Sequence, residues 1–202
     1  MTDRDSTGRI FATVLAAGAG TRFGATKQVA ELGGVTLVQR AMDTATQACG
    51  PNVLLVLGHD WKAVNAACDP PQGFIAYNDR YRDGLGSSIA SATRAVQHVA
   101  RAIVVLLADQ PLVSAPHIRS LCNAWSGKAD EIVATEYAGT VGVPALFPSG
   151  CFADLMRLRG DRGARQLLSD ERFRLRRILF EPAALDVDTP DDLRRISHSA
   201  HS

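Results

Sequence analysis

The chain has 202 residues, 46% hydrophobic and 21% charged, a length and balance that suit one globular domain. Twenty-two basic against 21 acidic residues leave a formal charge of +1, so no global field recruits nucleic acid or an acidic membrane, and any anion site must be local. No segment approaches the ~18 apolar residues of a membrane span, and the polar start MTDRDSTGR has no apolar stretch of signal-peptide type. Cys49, Cys68, Cys122 and Cys151 are scattered without a CxxC pair, which points to free thiols and a cytoplasmic protein.

Residues 1–9 are read as a flexible start, 10–196 as a single domain and 197–202 as a disordered tail. In chain order, Ile10–Ala16 reads as a first buried strand, followed by the glycine-rich LAAGAGTRFGATKQ (Leu15–Gln28). Helical spacing covers Thr36–Ala48, a second apolar run is Val53–Leu57, and Asp60–Ala67 is helical again. Phe74–Tyr77 is a short strand, Ser87–Ala100 a helix and Ile103–Leu107 a fourth strand. Continuous apolar runs, rather than alternating ones, suit strands covered on both faces. Their alternation with helices argues for a Rossmann-like, doubly wound, mostly parallel α/β sheet. Ile132–Thr135 and Val143–Phe147 are further strand candidates, with helices near Cys151–Leu158 and Ala164–Ser169 and a last strand at about Leu175–Leu179. Thr189 then caps a short helix, with Pro190 at its first position and Asp192 three residues after the cap.

Gly18, Gly20 and Gly24 let backbone N–H groups approach an anion, and Arg22 and Lys27 add charge beside them. The loop is either a phosphate cradle or an ordinary turn carrying two solvated cations. It is not a P-loop, because Gly24 is followed by Ala25 and Lys27 by Gln28. It is not a dinucleotide fingerprint either, since Phe23 stands where the third glycine belongs and no acidic residue closes the second strand. Asp109 of IVVLLADQPLV lies just past the fourth strand, at the sheet edge where ligands bind. A carboxylate beside phosphates needs a cation between them, and Mg²⁺ is the usual one. The alternative for Asp109 is a turn aspartate before Pro111. In LDVDTPDDL, Asp186 and Asp188 share a side if Val187 is extended, so Asp188 can complete the ion's shell while Asp191 and Asp192 serve the helix dipole. Arg162 and Arg165 are spaced to share a helix face, either as a phosphate contact for a second substrate or as exposed surface arginines. His59, His98 and His117 form no metal or triad pattern and read as structural or surface residues. Trp61 and Trp125 read as packing residues.

The pattern LAAGxGxRFGxxK after an apolar strand resembles the signature of the MobA-like nucleotidyltransferases, and within that group the molybdenum cofactor cytidylyltransferases. ADQP and DVDTP resemble the family's metal-binding and closing segments, and the likeness spans about Ile10 to Ile196. The resemblance implies transfer of CMP from CTP to molybdenum-bound molybdopterin with release of pyrophosphate. It implies Arg22, Lys27 and Asp109 as catalytic residues, and Asp109 and Asp188 as ligands of Mg²⁺, with Mn²⁺ as a substitute. It places Leu15, Ala16, Ala17, Gly18, Gly20, Arg22, Lys27, Asn78, Gly86 and Ser87 around the nucleotide, and Arg162 and Arg165 at the second substrate. Guanylyl-transferring relatives read LAGG where this chain reads LAAG; Ala17, Gln28 and DQP lean toward CTP. A molybdoenzyme or its maturation factor is the protein partner the resemblance suggests. Two alternatives stay open: a nucleotidyltransferase using GTP or acting on a sugar phosphate or phospholactate, and a non-catalytic cofactor carrier.

Overall fold

The computed structural model describes residues 9–69, 74–160 and 164–199. The start at residues 1–8, Arg162 and the tail residues 200–202 lie outside the described residues. The chain forms β1 (Ile10–Ala16), β2 (Glu31–Leu32), β3 (Val35–Thr36), α1 (Leu37–Cys49), β4 (Val53–Leu57), α2 (Trp61–Ala66), β5 (Ile75–Tyr77) and α3 (Leu85–Val96). It continues with β6 (Ala102–Leu107), α4 (Ala115–Ala124), β7 (Glu131–Tyr137), β8 (Thr140–Pro148), α5 (Phe152–Leu155), α6 (Arg165–Leu168), β9 (Arg174–Leu179) and α7 (Pro190–Ser199).

Among the described residues seven strands make one sheet in the order β5-β4-β1-β6-β8-β7-β9, in which only β8 runs antiparallel. The doubly wound, mostly parallel sheet expected from the apolar runs is therefore present. Alternate residues of β1 enter opposite layers. Phe11 and Leu15 pack with Ile89, Ala92 and Val96 of α3, while Ala12, Val14 and Ala16 pack with Val38 and Met42 of α1 and Ile118 and Leu121 of α4. Burial on both faces is why these strands lack a period-two pattern. The one polar residue inside β1, Thr13, donates its hydroxyl proton to Val104 O at 3.0 Å and so is satisfied in the core.

Three elements depart from the expectation. The β2–β3 hairpin, turned by Gly33-Gly34, was not foreseen, nor was α4. Helix α4 starts at Ser114, whose hydroxyl accepts from His117 N–H, and its buried face is Ala115, His117, Ile118 and Leu121. Helix α7 runs to Ser199, through the start of the expected tail, and its N-terminus is closed reciprocally by Thr189 and Asp192: Asp192 Oδ2 accepts from Thr189 N–H at 2.8 Å and Asp192 N–H donates to Thr189 Oγ1 at 3.3 Å. All four cysteines are free; Cys151 is buried and the other three are half-buried. Trp61, read as a packing residue, stays 42% exposed and meets Tyr77 edge-on.

The crossover direction reverses between β1 and β6, since β4 and β5 extend the sheet to one side of β1 and β6 to the other. Ligand crevices of such sheets open beyond the carboxyl ends of the strands at that point. The glycine loop follows β1 there, and Asp109 follows β6.

Candidate active site

A cleft of about 960 Å³ opens over the ends of β1 and β6. The glycine loop forms one wall. Gly20 has φ +59°, and a Cβ on it would stand 2.6 Å from Ala25 O, so the loop's return toward Lys27 requires glycine here. Gln28 is buried beneath the loop and its Nε2 donates to Gly18 O at 2.9 Å, which clasps the loop to the short helical turn Lys27–Val29.

The opposite wall arrives from the far end of the chain. Val187 N–H donates to Asp109 O at 2.9 Å. Val187 is fully buried with Leu32, Leu37 and Ile196, and Phe23 and Leu193 pack on the same cluster. This small core fixes the 186–189 segment against the loop and delivers Asp188 to the cleft. Lys27 then bridges both sides. Its ammonium is 2.6 Å from Asp109 Oδ2 and 3.1 Å from Asp188 Oδ1, with only 12% of the side chain exposed. Burial works to lower the Lys27 pKa, but the charges and hydrogen bonds of Asp109 and Asp188 outweigh it and raise it above its ordinary value. Arg22 reaches Asp188 Oδ2 at 2.7 Å from the rim, with 75% of its side chain in solvent.

Asp109 Oδ1 is buried and has no hydrogen-bond partner. A lone carboxylate oxygen of this kind has capacity for a cation. Among the described residues no group of three or more His, Cys, Asp or Glu converges to enclose a metal ion. Asp109 and Asp188 thus offer a two-carboxylate edge, fit for an ion whose remaining ligands come from substrate phosphates and water. Asp186 also faces the cleft. Although the residue is open to solvent, partial desolvation of its carboxyl, then the Asp109 charge, push it up to about 6.

Of the expected site residues, Leu15, Ala17, Gly18, Gly20, Arg22, Lys27, Asp109, Asp188 and Arg165 line this one cleft. Four do not. Ala16 points into the α1 layer, because successive side chains of a strand face opposite ways. Asn78 and Ser87 are buried and committed to each other. Asn78 Nδ2 donates to Ser87 Oγ at 2.8 Å and Ser88 Oγ at 3.0 Å, and Ser87 Oγ turns back to Arg80 O and Gly84 O, both at 2.8 Å. They brace the start of α3, and Ser88 faces the cleft instead. Gly86 packs on the chain at Arg159–Gly160, its N–H donating to Gly160 O at 3.0 Å. Arg165 opens α6 and lines the cleft, while Arg162 lies outside the described residues.

Sequence reasoning did not single out Tyr81, Arg82 or Tyr137, and it set His59 aside as structural or surface; all four line the cleft. The Arg82 guanidinium lies 5.3 Å over the Tyr81 ring, and His59 Nδ1 is 3.5 Å from Tyr81 Oη. The aromatic and basic letters of NDRYRDGLG were the available signal for Tyr81 and Arg82. Tyr137 carried none.

The arrangement can seat a polyphosphate along the glycine loop, balance it with Lys27 and Arg22, and place a cation on Asp109 and Asp188. The chain resembles several known proteins. The family pattern of the MobA-like NTP transferase domain matches residues 12–177. Purine catabolism protein PucB of Bacillus subtilis is 29% identical over 189 residues, covering 88% of this chain and 91% of that protein. Nicotine blue oxidoreductase of Paenarthrobacter nicotinovorans is 30% identical over 194 residues, covering 91% and 94%. The crystal structure of Rv0371c from Mycobacterium tuberculosis in complex with manganese is 33% identical with a TM-score of 0.79, over 95% of this chain and 99% of that one. With the matched domain spanning most of its length and its glycine loop and Asp109 at one sheet edge, the chain belongs to the MobA-like NTP transferase family.

Proposed function

We propose that this protein transfers CMP from CTP to the terminal phosphate of molybdenum-bound molybdopterin, releasing pyrophosphate. The observation that carries the nucleotidyl-transfer chemistry is Lys27 held between Asp109 and Asp188 at the foot of the glycine loop. The manganese bound by Rv0371c supports a divalent ion at the two carboxylates, Mg²⁺ being the ordinary one. Held by Asp109 and Asp188, such an ion would neutralise the triphosphate and polarise the α-phosphate. Loop N–H groups and Arg22 hold the departing pyrophosphate, and Lys27 stabilises the charge that develops on it. The acceptor phosphate oxygen attacks the α-phosphorus as the bond to the β-phosphate oxygen breaks, and no general base is needed because that phosphate is already ionised near neutral pH. Arg165 and Tyr137, on the far side of the cleft, face the acceptor. The choice of CTP is supported by Ala17 and Gln28 in the family-type loop, and a molybdoenzyme or its maturation factor would receive the product.

The test is calorimetric titration with CTP, GTP and ATP, each with Mg²⁺ and with EDTA, followed by pyrophosphate release on adding the molybdopterin acceptor. CTP binding that needs the metal, and CTP-dependent release abolished by Asp109→Ala, are expected. Preference for GTP would overturn the base assignment, and Asp109→Ala with most of its turnover would remove Asp109 from the mechanism. The name of the oxidoreductase relative favours one other reading, hydride transfer. Tight NADH binding without CTP binding would establish it, against a loop whose third glycine is displaced to Gly24.

A further inference from the structure

Lys27 occupies the place of a cation. Its ammonium contacts one oxygen from each of two carboxylates that belong to distant parts of the chain, Asp109 at 2.6 Å and Asp188 at 3.1 Å. Without a positive charge between them, the two carboxylates would face each other in a partly dry cleft, with Asp186 adding a third from the same wall. The other oxygen of Asp109 is left buried and unpartnered, so the ammonium satisfies the pair only in part. A divalent ion on the same oxygens would meet a like charge about an ammonium's contact distance away. Lys27 has a four-carbon stem and lies directly after the glycine loop, whose N–H groups line the same cleft. A phosphate seated there gives the ammonium a second anionic partner.

We infer that Lys27 is a built-in counter-ion, which holds Asp109 and Asp188 together in the nucleotide-free protein and yields their oxygens to a divalent ion when phosphates draw it onto the loop. The inference rests on the reading of Asp109 and Asp188 as the metal's ligands. Its consequence is that metal and phosphate bind as a coupled pair: the ion alone must displace a charged side chain, whereas the ion arriving with a triphosphate does not. By linkage the coupling is reciprocal.

The experiment measures Mn²⁺ binding by electron paramagnetic resonance in the absence of any nucleotide. Wild type, Lys27→Met and Lys27→Met/Asp109→Asn are compared, with Asp109→Asn alone as the control for the metal site. Lys27→Met is expected to bind Mn²⁺ at least about tenfold more tightly than wild type, a coupling within the usual 5–150-fold range. The added Asp109→Asn should remove the gain. Lys27→Met is also expected to melt lower than wild type in EDTA and to recover with Mn²⁺. Unchanged or weaker Mn²⁺ binding by Lys27→Met, with binding still lost in Asp109→Asn, would overturn the counter-ion role and leave the metal site standing. Wild-type binding indifferent to Asp109→Asn would overturn both. If Lys27→Met does not fold in EDTA, Lys27→Gln serves, since it keeps a donor without the charge. Folding of either only with Mn²⁺ supports the inference, and failure of both even with Mn²⁺ refutes it.

Discussion

His117 makes a quantitative test of how the far wall of the cleft is held. The residue is 5% exposed, stacks on Phe180 with ring centroids 4.1 Å apart, and places Nε2 2.8 Å from Thr135 Oγ1. The Thr135 hydroxyl gives its single proton to Pro144 O at 2.6 Å, so it must accept from His117, which puts a proton on Nε2. Burial lowers its pKa from 6.5 to about 4. Because the folded value lies below the unfolded one, acid favours the unfolded chain. The contribution is complete above pH 6.5 and is lost as pH falls through about 4. Fully developed it amounts to about 3 kcal/mol, of which about 2 kcal/mol is gone by pH 5. His117→Gln keeps a donor toward Thr135 but cannot titrate. Urea denaturation of both proteins at pH 8 and pH 5 should show wild type losing about 2 kcal/mol more than the variant. Parallel losses would refute the reasoning, since every other titrating group is common to both chains.

Other substitutions probe the cleft itself. Asp186, raised to about 6, works in the opposite sense: its protonated form suits the folded state, so its neighbourhood costs stability as pH rises from 3.8 toward 6. Asp186→Asn should therefore melt higher than wild type at pH 8, with the difference vanishing by pH 4. Gly20→Ala forces a side chain into the left-handed region and onto Ala25 O; nucleotide affinity, measured by calorimetry, should fall at least about tenfold, a cost of roughly 1–3 kcal/mol for the strained loop. Gln28→Leu leaves Gly18 O unpaired and should lower stability by about 1–3 kcal/mol in urea titrations while raising KM for the nucleotide.

Much of the fold was legible because its strands are buried on both faces, and apolar runs such as VLLVL and IVVLL have few other uses. Helix α4 was hidden by its own core face, in which His117 and Ala115 stand beside Ile118 and Leu121 and blur the apolar stripe. The direction of β8 was available in principle: no helix separates it from β7, and a turn at Ala138-Gly139 with positive φ joins them. Trp61 shows the limit of residue-type reasoning, since a large apolar side chain on an amphipathic helix can still end at the surface.

The chain's local chemistry by itself determined the glycine loop, the cations within it, the aspartate at the end of β6 and the capped aspartates before α7. Each is a short motif recognisable from residue type and spacing. Only the tertiary structure decided which side chains meet. Lys27 and Asp188 are 161 positions apart, and their contact depends on the buried Val187 cluster that docks the last segment on the first loop. Hydrogen bonding and packing elsewhere in the fold turned Asn78 and Ser87 inward and brought His59, Tyr81 and Tyr137 to the cleft. Orientation of this kind is set by which face of an element is buried, a choice made by distant residues through packing and hydrogen bonding.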